Sequence, residues 1–273
     1  MIVREPNTEY VLSLSYGKDS AACLEAIKIL GYPLDRIVHA EVWATETISA
    51  DLPPMVDFKR KADKIILERY GIKVEHCCAT RERERERVTY EDVFYHKRFS
   101  QKSEGERIYG FPYTVGAWCN TRLKIKALSY IKQSTNKKVI QYLGIAADEP
   151  ERIARHMKHD IILPLVDIGW DESYCRKWCE ENNLLSPIYS ESTRGGCWFC
   201  HNQSVDQLRL LRKNYPDLWS LLLKWDADSP TSFKPYGITV AHLDKRFQME
   251  DDGLLKPGDK RFRWKQVLST ETQ

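Results

Sequence analysis

Val11-Leu12-Ser13-Leu14-Ser15-Tyr16-Gly17-Lys18-Asp19-Ser20 carries an apolar strand into a small-residue turn and then into a helix. Ser15 and Gly17 let the backbone turn tightly, so consecutive N–H groups and the positive end of a helix starting near Lys18 converge on an anion. Lys18 adds a point charge, and Asp19 and Ser20 stand where they cap the first turn or approach a phosphate-bound metal. The spacing is not that of the Gly-x-x-x-x-Gly-Lys-Ser/Thr phosphate loop. Ser13, Ser15, Tyr16, Gly17, Lys18, Asp19 and Ser20 are the candidate phosphate-binding residues. For these ten residues alone, a capped helix after a buried strand is the plainer alternative.

Outward from this stretch, strand-like runs at 10–15, 37–43, 73–78 and 139–145 alternate with helical patterns at 21–30, 56–70 and 122–131. This βαβα order predicts an α/β fold with a doubly wound, mainly parallel sheet, and it places ligands at the carboxyl ends of the strands. The alternating run Arg81-Glu82-Arg83-Glu84-Arg85-Glu86-Arg87 nearly cancels in charge and reads as a solvated helix face. After Pro164 the texture changes: a helix is expected from about Asp171, a glycine-cysteine knuckle at 195–200, and helices on either side of Pro216. The expected division is a nucleotide-binding α/β domain over 1–165 and a smaller, mostly helical region over 166–273.

With 273 residues and 42% hydrophobic content, the chain can bury a full core without staples. No apolar run approaches a membrane span and the N-terminus lacks a signal-peptide pattern, so a cytoplasmic protein without membrane association is expected. Eight cysteines in a reducing compartment are thiols, metal ligands or catalytic groups. A formal net charge of +3, from 42 basic and 39 acidic residues, excludes a polycation, so any nucleic-acid contact must be local. The segment 255–265 supplies such a patch, with five cations interleaved with Phe262 and Trp264, a combination suited to stacking and phosphate neutralisation and equally to a basic surface tail.

Cys197-Trp198-Phe199-Cys200 follows Gly195-Gly196, which lets the backbone bend so that both sulfurs face one point. Such a pair usually has partners: zinc needs four Cys or His ligands, and an iron–sulfur cluster usually four thiolates. Candidate partners are Cys119, His201, Cys175 and Cys179. The last two, four apart on a helix, read better as core packing, as do Cys23 and Cys77–Cys78. The Cys-x-x-Cys-His spacing of covalent haem would require export, which nothing in the chain signals.

Three further segments join the first: Cys119-Asn120-Thr121-Arg122-Leu123-Lys124 before a helix, Gly144-Ile145-Ala146-Ala147-Asp148-Glu149-Pro150-Glu151-Arg152 after a strand, and Arg194-Gly195-Gly196-Cys197. In this order, over roughly residues 10–205, they look like the phosphoadenosine-phosphosulfate reductase family of the ATP pyrophosphatase (PP-loop) superfamily, with Tyr16 where many members have glycine. The resemblance implies an adenine nucleotide over the sheet edge, with phosphates at Ser15–Ser20 and Thr45 and Glu46 near the adenine or ribose. It implies Arg122, Lys124 and Arg194 toward the substrate, and Gly144, Asp148, Glu149 and Arg152 in a loop by the phosphates. Magnesium is expected near Asp19 or Asp148. Lys18, Asp19, Arg122 and Arg152 are the candidate catalytic residues.

Adenylylsulfate reductases of this family hold a [4Fe-4S] cluster with Cys-Cys followed about eighty residues later by Cys-x-x-Cys. Here the first pair reads Trp118-Cys119, and 197 − 119 is 78, which leaves Cys119, Cys197 and Cys200. No cysteine follows Cys200 to act as the family's tail nucleophile. The pattern is similar to the PP-loop sulfurtransferase subunit of DNA phosphorothioation systems. It implies an ATP-dependent sulfurtransferase or adenylating enzyme using ATP, Mg2+ and a [4Fe-4S] cluster, with a nucleic-acid acceptor and a sulfur-donor protein among its partners. The alternatives are a sulfonucleotide reductase using an external thiol, and a zinc-stabilised, non-catalytic nucleotide-binding module.

Overall fold

In the computed structural model, residues 2–81, 86–99, 106–113, 116–191, 196–259 and 262–264 are described. The chain forms β1 (Thr8–Ser13), α1 (Lys18–Leu30), β2 (Arg36–Glu41), α2 (Pro53–Tyr70), β3 (Val74–Cys78), α3 (Tyr90–Phe94), β4 (Lys97–Phe99) and β5 (Glu106–Ile108). A π-helical turn over Asn120–Ile125 leads into α4 (Lys126–Gln133), β6 (Lys138–Tyr142), α5 (Pro150–His156), β7 (Ile161–Ile162), α6 (Pro164–Ile168) and α7 (Glu172–Glu181). The last helices are α8 (Ile188–Glu191), α9 (Val205–Asn214), α10 (Pro216–Asp228) and α11 (Val240–Asp251).

The chain folds into two units, residues 1–88 with 122–195 and residues 89–121 with 196–273. This differs from the single division expected near residue 165. The sheet recruits everything from β6 to α7, while the aromatic side chains of 90–118 pack with those of 198–233. Hydrophobic patterning shows that each segment buries a face but not which distant segment covers it.

The first unit is an α/β layered structure around a five-stranded parallel sheet of order β3-β2-β1-β6-β7. Its central strand is apolar on both faces because both are covered. Tyr10 and Leu12 join the core that includes Ala22, Leu24, Ile27, Ile66 and Leu165, and Val11 packs with Val38, Ala127, Ile131 and Val139 on the other side. Since β2 and β6 flank β1, the chain reverses its winding there, and the loops after β1 and β6 meet at the switch point. Gly144 makes that meeting possible: a Cβ there would lie 2.6 Å from Ser20 Cα and 2.7 Å from the Asp19 backbone.

Two local expectations change. Arg81 N donates to Glu86 O, Val88 N donates to Ala79 O and Thr80 bridges Arg87, so the described flanks of the alternating charge run pair antiparallel rather than as a helix. Residues 82–85 lie outside the described residues. The expected helix over 122–131 starts instead with the π-turn, a geometry often found at functional positions.

Among its described residues the second unit is built on aromatic rings and the helices α3, α9, α10 and α11. Tyr90, Trp118, Phe199 and Trp225 form one cluster, and Trp219 packs on Phe247 (5.7 Å between centroids). Arg209 pairs with Glu250, and Arg212 with Asp244 and Asp251, across α9 and α11. Among the described residues no helix is long and apolar enough to cross a membrane.

Candidate active site

The first unit carries the phosphate-site candidates. Helix α1 has Gly17 at its N-cap in extended geometry, with no side chain capping the first turn, so its N–H groups remain directed at the loop. Ser20 Oγ braces the loop from inside, accepting from Ser15 N (3.1 Å), donating to Gly17 O (3.0 Å) and lying 2.9 Å from Ser15 Oγ. Lys18 N donates to Tyr189 Oη at 3.2 Å, placing a hydroxyl oxygen where a helix N-terminus accepts an anion oxygen. Tyr189 has no signal in the sequence, because only the fold brings residue 189 to residue 18.

Tyr16 takes the left-handed conformation (φ 57°) that glycine would supply in this loop. Its ring turns into the core, 2% exposed, against His39 (4.7 Å between centroids). Its hydroxyl donates to Asp63 and lies 3.1 Å from His76 Nε2. The ring therefore stays out of the loop, and of Tyr16 only the backbone faces a ligand. Behind it His76 sits between Asp63 (2.9 Å) and Glu41 (3.1 Å), while Lys59 pairs with Asp51 and lies 2.8 Å from His39 Nε2. Asp63 and then Glu41 raise the pKa of His76 to about 9; burial and then Lys59 lower that of His39 to about 3. His76 is a cation and His39 neutral at pH 7.

At the switch point the carboxylate oxygens of Asp19, Glu149 and Glu172 lie within 4.8 Å of one another. Lys18 Nζ reaches Asp19 at 2.7 Å and Glu172 at 3.4 Å. Burial raises the pKa of Asp19, against the pull of Lys18, and Glu172 and Glu149 push the same way. Three acids beside one ammonium leave excess negative charge, the setting a hard divalent cation neutralises. The expected ligand Asp148 is not in this group: its side chain accepts Glu172 N at 3.1 Å and braces α7. Glu172, not Asp148, is the residue that stands with Asp19 and Glu149. Its only advance signal is its position in the acidic first turn of the α7 helix.

The other candidates are distributed as follows. Glu149 binds Arg152 Nη1 at 2.5 and 2.7 Å and so holds that guanidinium at the loop. Thr45 Oγ1 closes its own turn by accepting Thr47 N and Ile48 N, and exposed Glu46 lies 3.6 Å from Arg87. Trp43 is half-buried beneath the Arg87 guanidinium (3.8 Å). Arg122 and Lys124 are exposed on the π-turn, and Ser13 ends β1. Arg194 lies outside the described residues. Cys23, Cys175 and Cys179 are fully buried in the core of the first unit, so the last two serve packing; burial raises the thiol pKa of both to about 12.

Cys119, Cys197 and Cys200 belong to the second unit and are half-buried. The knuckle is a turn in which Cys200 N donates to Cys197 O (3.0 Å), Gln203 N to Cys200 O (2.9 Å) and Gln203 Nε2 to Cys197 O (3.1 Å). Lys234 Nζ braces it by donating to the carbonyls of His201 (2.8 Å) and Gln203 (2.7 Å). Gly196, at φ 156°, supplies the bend before it. The Tyr90 ring lies 4.9 Å from Trp118, the neighbour of Cys119, and 4.2 Å from Phe199, between the other two cysteines. Tyr90 Oη and Trp118 Nε1 are buried without a hydrogen-bond partner.

Among the described residues, Asp19, Glu149 and Glu172 form the one group of three metal-ligating side chains within 4.8 Å of each other. Buried donors without an acceptor beside the cysteine segments fit a cluster that carries its own sulfide. In the tail, Phe262 is 9% exposed with the Arg246 guanidinium 4.3 Å from its ring centre, so it packs rather than offering a face to a base. Lys260, Arg261 and Lys265 lie outside the described residues.

Neither a protein-family model nor a curated protein matches the chain. Among solved structures it is similar to the U34-tRNA thiolase NcsA from Methanococcus maripaludis with its [4Fe-4S] cluster, at 17% identity over 82% of this chain and 73% of that one, with a TM-score of 0.37. A likeness at that level assigns neither substrate nor cofactor to this chain.

Proposed function

We propose that the chain is an ATP-dependent sulfurtransferase or adenylating enzyme that cleaves ATP to AMP and pyrophosphate, with Cys119, Cys197 and Cys200 holding an iron–sulfur cluster. The observation that carries this reading is the anion cradle at the switch point of a parallel sheet: a helix N-terminus with no N-cap side-chain bond, Lys18 and three convergent carboxylates.

In this reading the loop N–H groups and Lys18 bind the β- and γ-phosphates. An acceptor oxygen bonds to the α-phosphorus, the α–β bridging oxygen departs with pyrophosphate, whose developing charge the same donors take up, and a sulfur nucleophile that bonds to the adenylated acceptor then expels AMP. Asp19, Glu149 and Glu172 would hold magnesium, which neutralises phosphate charge. Tyr189 yields its place on Lys18 N to a phosphate oxygen or shares it, and Arg152 stays aimed by Glu149. When bound, a cluster with three protein thiolates supplies an iron open to a sulfur donor. Exposed Arg122 and Lys124 support a polyanionic acceptor such as nucleic acid, and a sulfur-donor protein would complete the set of partners.

The test is anaerobic purification with iron, sulfide and zinc analysis, followed by product analysis with ATP and Mg2+. Iron with sulfide, together with AMP and pyrophosphate, is the expected result. Stoichiometric zinc without iron, or ADP and phosphate as products, would sink the proposal.

A further inference from the structure

Tyr90 opens α3, and its place is set by a capping box in which Asp92 N donates to Thr89 Oγ1 (3.1 Å) and Thr89 N to Asp92 Oδ2 (2.8 Å). Its ring is held between Trp118, Phe199 and Trp225 (5.1 Å), so it cannot swing toward water. It is 1% exposed. A buried hydroxyl or indole N–H without an acceptor is costly, and here two lie on stacked rings.

Two other large buried donors of the same unit are satisfied. Trp225 Nε1, in the same ring cluster, donates to Glu91 at 3.1 Å, and Trp219 Nε1 donates to Asp244 at 2.7 Å. Tyr90 Oη and Trp118 Nε1 are buried donors without an acceptor, and their rings lie beside the segments that carry the three cysteines. An indole N–H only donates, so what is missing is an acceptor.

We infer that Tyr90 Oη and Trp118 Nε1 donate hydrogen bonds to sulfur of the cluster held by Cys119, Cys197 and Cys200 and so help set its reduction potential, an inference that rests on the iron–sulfur reading above. Donors to cluster sulfur favour the more negative, reduced state, so removing one moves the potential down.

The experiment compares wild type, Tyr90→Phe and Trp118→Phe after anaerobic reconstitution, reading iron and sulfide per chain and the midpoint potential by spectroscopic titration. Tyr90→Phe keeps the ring and its packing. Iron content equal to wild type with a more negative potential in both variants is expected. In wild type alone, the Fe–S stretching bands should shift between H2O and D2O, a readout that stands even where a variant fails to fold. Iron retained with unchanged potential and no deuterium shift would overturn the inference and leave the proposed function standing. Zinc in place of iron would overturn both.

Discussion

His76 shows how one residue's surroundings become a pH dependence. Its folded pKa of about 9 exceeds the 6.5 of a free histidine, because Asp63 and then Glu41 stabilise the cation. That contribution is complete below pH 6.5 and is lost as the pH rises through 9. Glu41, lowered from 4.5 to about 2 chiefly by its bond to His76, contributes in full above pH 4.5 and loses it as the pH falls toward 2. Melting temperature should therefore fall between pH 6.5 and 9, and His76→Gln should flatten that limb, with an effect of about 1 kcal/mol after screening of a partly exposed pair. A variant that melts in parallel with wild type across this range would refute the assignment. Thiol chemistry divides the cysteines in the same way. In metal-free protein, Cys119, Cys197 and Cys200 should alkylate with iodoacetamide while Cys23, Cys175 and Cys179 stay protected until unfolding, as peptide mass analysis will report.

Between elements, the decisive contact is that of the β6 loop with the first turn of α1. Gly144→Ala would set a methyl against the backbone of Asp19 and Ser20, neither of which is a flexible side-chain end. The expected cost is about 1–3 kcal/mol of stability, with nucleotide affinity reduced at least roughly tenfold (about 1.4 kcal/mol), measured by denaturant unfolding and calorimetric titration. Unchanged affinity would mean that the loop does not bind phosphate. The pairing of α1 with α7 brings Glu172 to Asp19, so Glu172→Gln should weaken magnesium-dependent nucleotide binding, whereas Asp148→Asn should not alter it beyond a modest loss of stability. If Asp148→Asn proves the more damaging, the cation site is misplaced. Tyr189→Phe, tested without magnesium, separates competition for Lys18 N from assistance: tighter binding marks Tyr189 as a stand-in for phosphate, weaker binding as a partner of it.

For the molecule as a whole, metal removal should act unevenly. Cys119, Cys197 and Cys200 lie in the second unit and the parallel sheet in the first, so chelation should raise amide exchange around Tyr90, Trp118 and the knuckle while β1 and α1 keep their protection. Uniform loss across both units would contradict this. The alternation of strand and helix around β1 was legible because it is written in local residues, an apolar run passing into Ser15–Ser20 and a helix. The parallel sheet appeared as expected, since alternating strand and helix periods leave a covered sheet as the economical way to bury both. The division at 88, 121 and 195, the inward turn of the Tyr16 ring, Tyr189 on Lys18, and Glu172 rather than Asp148 beside Asp19 were not legible. Each depends on which distant faces pack together, and side-chain partners across more than a hundred residues leave no periodicity in the chain. Sequence alone determined which chemistries were available, because residue type and close spacing are local; tertiary structure decided which groups meet, because packing selects one arrangement among many that the same local patterns permit.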